Sequence, residues 1–175
     1  GPYADMIRMA TSTWNGQVQV LSEDYKDSPS LFKTLSKPGE LIRTLESHPE
    51  IVSATARIET AELLSVGVRS AAASIIGVDP ISEPKVSSLP NALASGSFLG
   101  APKDTEALPI VLGDGLATRL RADLGSEVVF VGTAADGSIA AEVFELVGII
   151  DSGLDDLDSA LALIRLADAQ ELLVL

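Results

Sequence analysis

The chain has 175 residues, a length that suits one domain or two small lobes. Its hydrophobic content of 46% excludes disorder, and its aromatic content of 4% makes the core aliphatic. A net charge of −13 with no basic run excludes nucleic acid as a partner and argues against lying flat on anionic lipid.

Residues 3–13 carry Met6, Ile7, Met9 and Ala10 before a Thr-Ser-Thr cluster and read as the stub of a helix. Gly16 to Leu21 alternates polar and apolar residues, which predicts a half-buried strand. Residues 22–30 are a polar loop. Pro38 opens a helix that runs to about Ser47 with Leu41, Ile42 and Leu45 on one face, and His48-Pro49 stops it. Ile51 to Ala61, continuing toward Leu64, predicts a strand. Gly67 marks a turn, and Ala71 to Val78 predicts a second strand that ends at Asp79-Pro80.

Residues 80–109 are rich in Pro, Ser and Gly and read as a linker, with one short helix over 86–93. Ile110-Val-Leu is a brief strand, and Gly113 to Leu120 a short helix with Leu116, Ala117 and Leu120 at helical spacing. Glu127–Val131 and Ala141–Ile150 are strands joined by a hairpin around Asp136-Gly137. Asp156 or Asp158 caps a region from Ser159. Residues 160–164 predict a strand and Leu166–Leu173 a helix. Strands and helices in this order predict an α+β fold, a helix packed on a mixed sheet.

Few residues point to chemistry. No Cys is present, which excludes disulfides, thiolate metal sites and Cys nucleophiles. A single His, His48, excludes a multi-His metal centre, and its place at a helix end favours an interaction with the helix dipole over catalysis. Asp151, Asp155, Asp156 and Asp158 lack the ligand spacing, central Gly and closing Glu of an EF-hand loop, so a solvated acidic loop is the expected reading. Gly113-Asp-Gly115 lacks the third Gly and the Lys-Ser/Thr of a phosphate cradle and reads as a tight turn. Ser70, Ser74 and Ser97 have no Gly-x-Ser-x-Gly frame. Trp14 and Phe98 read as packing residues. No catalytic, cofactor or metal residue is therefore assigned. No run of 18 apolar residues exists to span a membrane.

The stretch from Ile110-Val-Leu-Gly-Asp-Gly through Val143-Phe-Glu-Leu-Val-Gly-Ile-Ile to Leu166-Ala-Asp-Ala-Gln-Glu-Leu-Leu resembles the extracytoplasmic domain of lipoprotein-releasing ABC transporter permeases, the LolC/LolE type within the MacB/FtsX superfamily. Gln17-Val-Gln-Val, Pro49-Glu-Ile-Val-Ser-Ala, Ile75-Ile-Gly-Val-Asp-Pro and Gly96-Ser-Phe stand in the same order in the earlier half, so the resemblance spans nearly the whole chain. It implies a two-lobed, MacB-like periplasmic core. A porter-like βαβ lobe would span 3–88 plus 150–175, and a smaller β-rich lobe would be inserted over 89–149. Gly1-Pro2 reads as a tag remnant, and the apolar Leu172–Leu175 end as a cut made in a longer protein.

The resemblance further implies a non-catalytic domain on the periplasmic side of the inner membrane, set between two membrane helices so that both ends leave on one side. It would couple the motion driven by a separate cytoplasmic ATPase to lipoprotein release. The implied partners are a paired permease subunit, that ATPase, and lipoprotein cargo or a periplasmic chaperone. A MacB-like exporter or an FtsX-like regulator is the alternative within the superfamily. A soluble ligand-binding module with a pocket between lobes is the alternative outside it. One branch of the family holds a chaperone with a protruding hairpin. The matching stretch here is 132–141, and its candidate partner contacts are Thr133, Asp136, Gly137, Ser138 and Ile139. It is short and has no Pro or aromatic anchor, a departure that makes this chain a candidate for the non-capturing subunit of a pair.

Overall fold

The protein is described from a computed structural model, which covers residues 18–22, 27, 35–100 and 107–175. Helix α1 (Pro38–Glu46) comes first. Strands β1 (Arg57–Val66) and β2 (Arg69–Val78) form a hairpin. A helical turn, α2 (Glu83–Val86), and a 3-10 turn (Leu89–Ala92) lead to β3 (Leu93–Gly96). Then come β4 (Leu108–Gly113), α3 (Asp114–Leu120), β5 (Glu127–Thr133) and β6 (Ile139–Ile150). The turn α4 (Asp155–Asp158), β7 (Leu161–Arg165) and α5 (Leu166–Leu173) complete the chain. The α+β class expected from the sequence is the class observed.

The seven strands form one mixed sheet in the order β3-β6-β4-β7-β2-β1-β5, and β5 pairs with β6 as well as with β1. That last pairing closes the sheet into a ring, with β3 appended to β6. Leu63, Leu64 and Ser65 of β1 face Val131, Phe130 and Val129 of β5, while the other edge of β5 runs antiparallel to Ile139–Glu145. Closure satisfies the backbone groups that an open sheet would leave bare at its two outer strands.

Every strand of the ring sends side chains to one shared cluster. It holds Leu64, Ala73, Ile75, Ile110, Leu112, Val128, Phe130, Phe144, Leu146 and Ile164 among others, and all six strands meet only inside the ring. Leu116, Ala117 and Leu120 of α3 and Ala169 and Leu173 of α5 join the same cluster. A second cluster lies on the outer face of β2, β4, β6 and β7. Ile76, Val78, Val111, Leu161 and Leu163 pack there under Leu89 and Leu99, with Leu93, Phe98 and Leu157 alongside. This explains a change of pattern along β2. Residues 69–73 alternate between buried and accessible, but Ile75 to Val78 are all buried. The change falls where parallel pairing with β7 begins at Ser74 and the outer cover arrives. Strand β6 switches phase at Val147, an extra residue between the Ile110–Leu146 and Val111–Gly148 pairs. This bulge lets Leu146 point into the ring while Ile150 points to the outer cluster.

Several sequence expectations are corrected. The boundary between a 3–88 plus 150–175 lobe and an inserted 89–149 lobe does not coincide with a break in the sheet: β4 and β6 hydrogen-bond to the same sheet as β7, and β5 pairs with β1. The Pro/Ser/Gly-rich passage is not a linker over residues 83–99. It folds back as the cover of the outer cluster, because the outer faces of β2, β4 and β7 are too apolar to leave in water. The helix expected over 86–93 is two separate turns, split where Ser87 is extended. The strand expected from Ile51 begins only at Arg57, since Val78, its partner, is the last residue of β2 before Pro80. Residues 18–22 form no strand, and Val18 and Val20 are exposed. The expected N-terminal helix stub, Trp14 and the point where the chain enters the domain lie outside the described residues.

A buried ion pair fastens the cover to the ring. Glu83 is fully buried and receives both Nε and Nη2 of Arg57, the first residue of β1, and the hydroxyl of Ser87 donates to the same carboxylate. Beside it, Ser82 is hydrogen-bonded to Thr55 and donates to Asp79. Removing one partner of such a pair leaves a charge out of water, so Glu83→Ala is expected to cost about 3–5 kcal/mol, and Arg57→Met with Glu83→Leu together should recover much of it. Urea unfolding of the single and double variants checks this.

Gly113 and Gly115 have a structural reason. A Cβ on Gly113 would sit 2.2 Å from the carbonyl oxygen of Asp158, and one on Gly115 would sit 3.0 Å from Cα of Ser159. The strand runs straight into α3 at Gly113, and the two glycines let the α4 backbone lie against the start of that helix. Gly113→Ala is therefore expected to destabilise the fold by about 1–3 kcal/mol or more through overpacking, read from the midpoint of chemical denaturation.

Candidate interaction site

The five residues singled out in the sequence come together at the end of the β5–β6 hairpin. Thr133 and Ile139 are the last pair of the ladder. The loop between them closes with two backbone bonds, from the amide of Ala134 to the Ser138 carbonyl and from the amide of Gly137 to the Ala134 carbonyl. Gly137 has φ 84°, a left-handed conformation that costs a side-chain-bearing residue energy. The Asp136 carboxylate accepts from both the amide and the hydroxyl of Ser138, at 2.9 and 2.6 Å. The loop is also pinned from outside, since the Ala135 amide donates to the Leu173 carbonyl at the end of α5, and Ala134 is buried. The tip is thus short and braced, with Ile139 as its one large exposed apolar side chain, 83% accessible.

The surroundings contain residues the sequence reading did not select. Across β2, β1, β5 and β6, the register aligns Ala72, Leu63, Val131 and Ala141 in one row and Ser70, Ser65, Val129 and Val143 in the next. These point away from the ring interior, and Leu63, Val131 and Val143 are each more than two-fifths accessible. The row continues to Thr133 and Ile139, so the hairpin carries an apolar strip on its outer face. A signal for it existed in the sequence. Val128-Val-Phe-Val is apolar on both faces of its strand, whereas a strand with one face in water alternates. The strip borders an open groove of roughly 640 Å³ between the start of β6 and α5, lined by Leu108, Ser138 to Val143, Asp168, Glu171 and Leu172.

The other candidates resolve into structural roles. His48 is exposed after α1, where its Nδ1 accepts weakly from the Glu50 amide at 3.4 Å. Asp158 is buried and accepts from the amide and hydroxyl of Ser152, and Asp151 accepts from the Gly153 amide. These carboxylates brace their own loop, and no cluster of His, Asp and Glu with metal-binding geometry occurs among the described residues. Phe98 packs at the margin of the outer cluster.

The hydrogen bonds from the Ser138 hydroxyl and amide hold the Asp136 carboxyl below the usual aspartate range. A carboxyl with a depressed folded-state pKa contributes order above its unfolded value and loses that contribution as pH falls through the folded value. Ser138→Ala is expected to raise the Asp136 pKa toward its ordinary value, so that the hairpin tip loosens at a higher pH than in the parent. Carboxyl-detected NMR titration of Asp136, with amide shifts of residues 134–139 as the readout of order, checks both parts.

The fold defines a class. The periplasmic region of MacB from Actinobacillus actinomycetemcomitans has the same fold, with a TM-score of 0.56 at 18% identity, over 86% of this chain and 64% of that one. The extracellular domain of the noncanonic ABC-type transporter YknZ from Gram-positive bacteria also matches, with a TM-score of 0.56 at 13% identity, over 86% of this chain and 72% of that one. The chain thus spans just under two thirds of the MacB region it matches. No curated protein sequence matches it. Residues 4–174 match the MacB-like periplasmic core domain, and the chain belongs to that family.

Proposed function

We propose that this domain is the extracytoplasmic coupling part of an ABC transporter permease and performs no chemistry of its own. The observation that supports the reading is the family match across 4–174. Physically, a closed ring packed with aliphatic side chains deforms little and passes on a displacement applied near its ends as a rigid-body movement. ATP hydrolysis in a cytoplasmic subunit would tilt the membrane helices, and the domains of two paired permease subunits would move against each other on the periplasmic side of the inner membrane. The braced tip at Thr133, Asp136, Gly137, Ser138 and Ile139, together with the apolar strip beside it, is the surface we assign to contact with a neighbouring subunit or cargo. A lone exposed Ile contributes only about 1.5–3 kcal/mol when buried. That is far below the ~8 kcal/mol of a micromolar complex, so the tip is not a chaperone hook by itself.

For the cargo, we read lipid-modified protein released toward the outer membrane, on the ordered resemblance of 110–175 to lipoprotein-releasing permeases. The second reading is a MacB-like exporter of other cargo, favoured by the likeness to the MacB periplasmic region. A ligand-binding module is the weakest reading, because the interior of the ring is filled by Phe130, Phe144 and Leu side chains.

This domain has no Cys and Glu59 is exposed, so one Cys introduced there labels the domain at a single position once any cysteines elsewhere in the transporter are replaced. In the full-length transporter with its ATPase, the distance from a spin label at Glu59→Cys to a label on the neighbouring permease subunit is expected to shift by several ångströms between ATP-bound and nucleotide-free states. An unchanged distance in particles that still transport overturns the coupling role. Release of an acylated protein from membranes by the same particles, against none for an unacylated one, separates the two cargo readings.

A further inference from the structure

Strand β6 is longer than its neighbours allow. Its second half, Phe144 to Ile150, is paired with β4 on one side, but β4 begins only at Leu108, opposite Phe144. Residues 139–143 are therefore paired with β5 on one edge, and no described strand pairs with the other. The Val143 amide shows which way the backbone faces. It donates to the carboxylate of its own neighbour Glu142 at 2.8 Å, a side-chain bond standing where a strand partner would be. Backbone groups alternate in direction along a strand, so the amides and carbonyls of Ile139 and Ala141 face the same way. They open into the groove beside α5.

The walls of the groove differ on the two faces of the sheet. On the outer face, Ile139, Ala141 and Val143 are exposed and end the apolar strip that starts at Leu63. On the α5 side stand Glu142, Glu171 and Asp168 around Leu172, and no Lys, Arg or His lines the groove among the described residues. Arg165 pairs with Asp168 through a two-pronged contact.

We propose that the edge at Ile139–Val143 takes an extended segment of a partner protein as an added strand. That segment carries basic residues toward Glu142 and Glu171 and apolar residues toward Ala141 and Val143. Main-chain hydrogen bonds hold the strand and the alternating faces select its sequence. Charge complementarity argues for this occupant over a second copy of the chain. Two such edges would set Glu142 and Glu171 against their own equivalents in a molecule of net charge −13. The Glu142 carboxylate guards the edge when it is empty. When the strand arrives, a partner carbonyl takes over the Val143 amide, and the released carboxylate pairs with a basic side chain.

The test uses synthetic peptides of about six residues, the ordinary length of a strand, alternating Lys with Val or Glu with Val. Titrated into the chain, the Lys/Val peptide is expected to protect the Ala141 and Val143 amides from hydrogen exchange and to bind at least about tenfold more tightly than the Glu/Val peptide. Glu142→Gln with Glu171→Gln should weaken it about tenfold, whereas Glu59→Gln with Asp155→Gln, elsewhere on the surface, should not. Ala141→Pro removes an edge donor without touching the β5 ladder and should abolish the protection at Val143. If that variant unfolds, the charge variants still decide. Equal loss with both pairs of charge variants means general attraction to an acidic protein and overturns the proposal. So does protection of Ala141 and Val143 without peptide, or a concentration-dependent dimer that Ala141→Pro dissolves.

Discussion

The pairing of β5 with both β1 and β6 is the constraint on which the rest of the structure depends. Without it the sheet would have β5 as an open end, and Val128 and Phe130 would have no interior to enter. With it, six strands share one aliphatic core, and Phe130 and Phe144 supply the bulk that fills its centre. The two helices that join this core meet small residues on the way. On α5, Ala169 sits where a Cβ on Gly77 would be only 2.7 Å away, so the helix lies directly on β2. Closure also explains why a chain with 4% aromatic residues can be well packed: a ring converges side chains from all directions onto a small volume.

Outside the ring, stability depends on a second layer formed by residues that look like a connector. Residues 83–99 bury Leu89 and Leu99 on the apolar outer face of the central strands. Apolar burial alone does not fix the direction of such a cover. The Arg57–Glu83 pair does, because a fully buried carboxylate tolerates few alternative positions for its guanidinium. The hydroxyls of Ser82, Ser87 and Thr55 complete the polar joint, so the start of β1 and the start of the cover are held at one point.

This division of labour leaves one part of the ring for contact. The outer face of β4, β7 and the second half of β2 is covered, while the strip of Leu63, Val129, Val131, Ala141 and Val143 on β1, β5 and the first half of β6 is bare, and the edge of β6 that has no strand partner among the described residues adjoins it. The tip of the hairpin is braced by Asp136 and tied to α5 through Ala135, so the bare face is presented by a stiff element. A stiff apolar face beside a strand edge suits binding, since little conformational entropy remains to be lost. It also fits a coupling domain, in which motion must reach a neighbour without being absorbed on the way.

Local chemistry determined much of this protein from the sequence alone. Pro38 and the spacing of Leu41, Ile42 and Leu45 located α1, the Leu116/Ala117/Leu120 spacing located α3, and Asp136-Gly137 located the hairpin, because helix starts, amphipathic faces and positive-φ turns are set by residues near one another in the chain. The ordered succession of such segments carried the resemblance that the family match over 4–174 bears out at the level of the MacB-like core. The α+β class followed from the same segments. What the tertiary structure alone decided was anything that joins distant residues. The ring closes through pairs such as Leu64 with Phe130, the polar joint spans Arg57 to Glu83, and the passage after Pro80 is a cover rather than a linker. Among the described residues, the edge at Ile139–Val143 has no strand partner because β4 starts at Leu108, opposite Phe144, and register between strands far apart in sequence is settled by packing and hydrogen bonding across space, which no local pattern encodes.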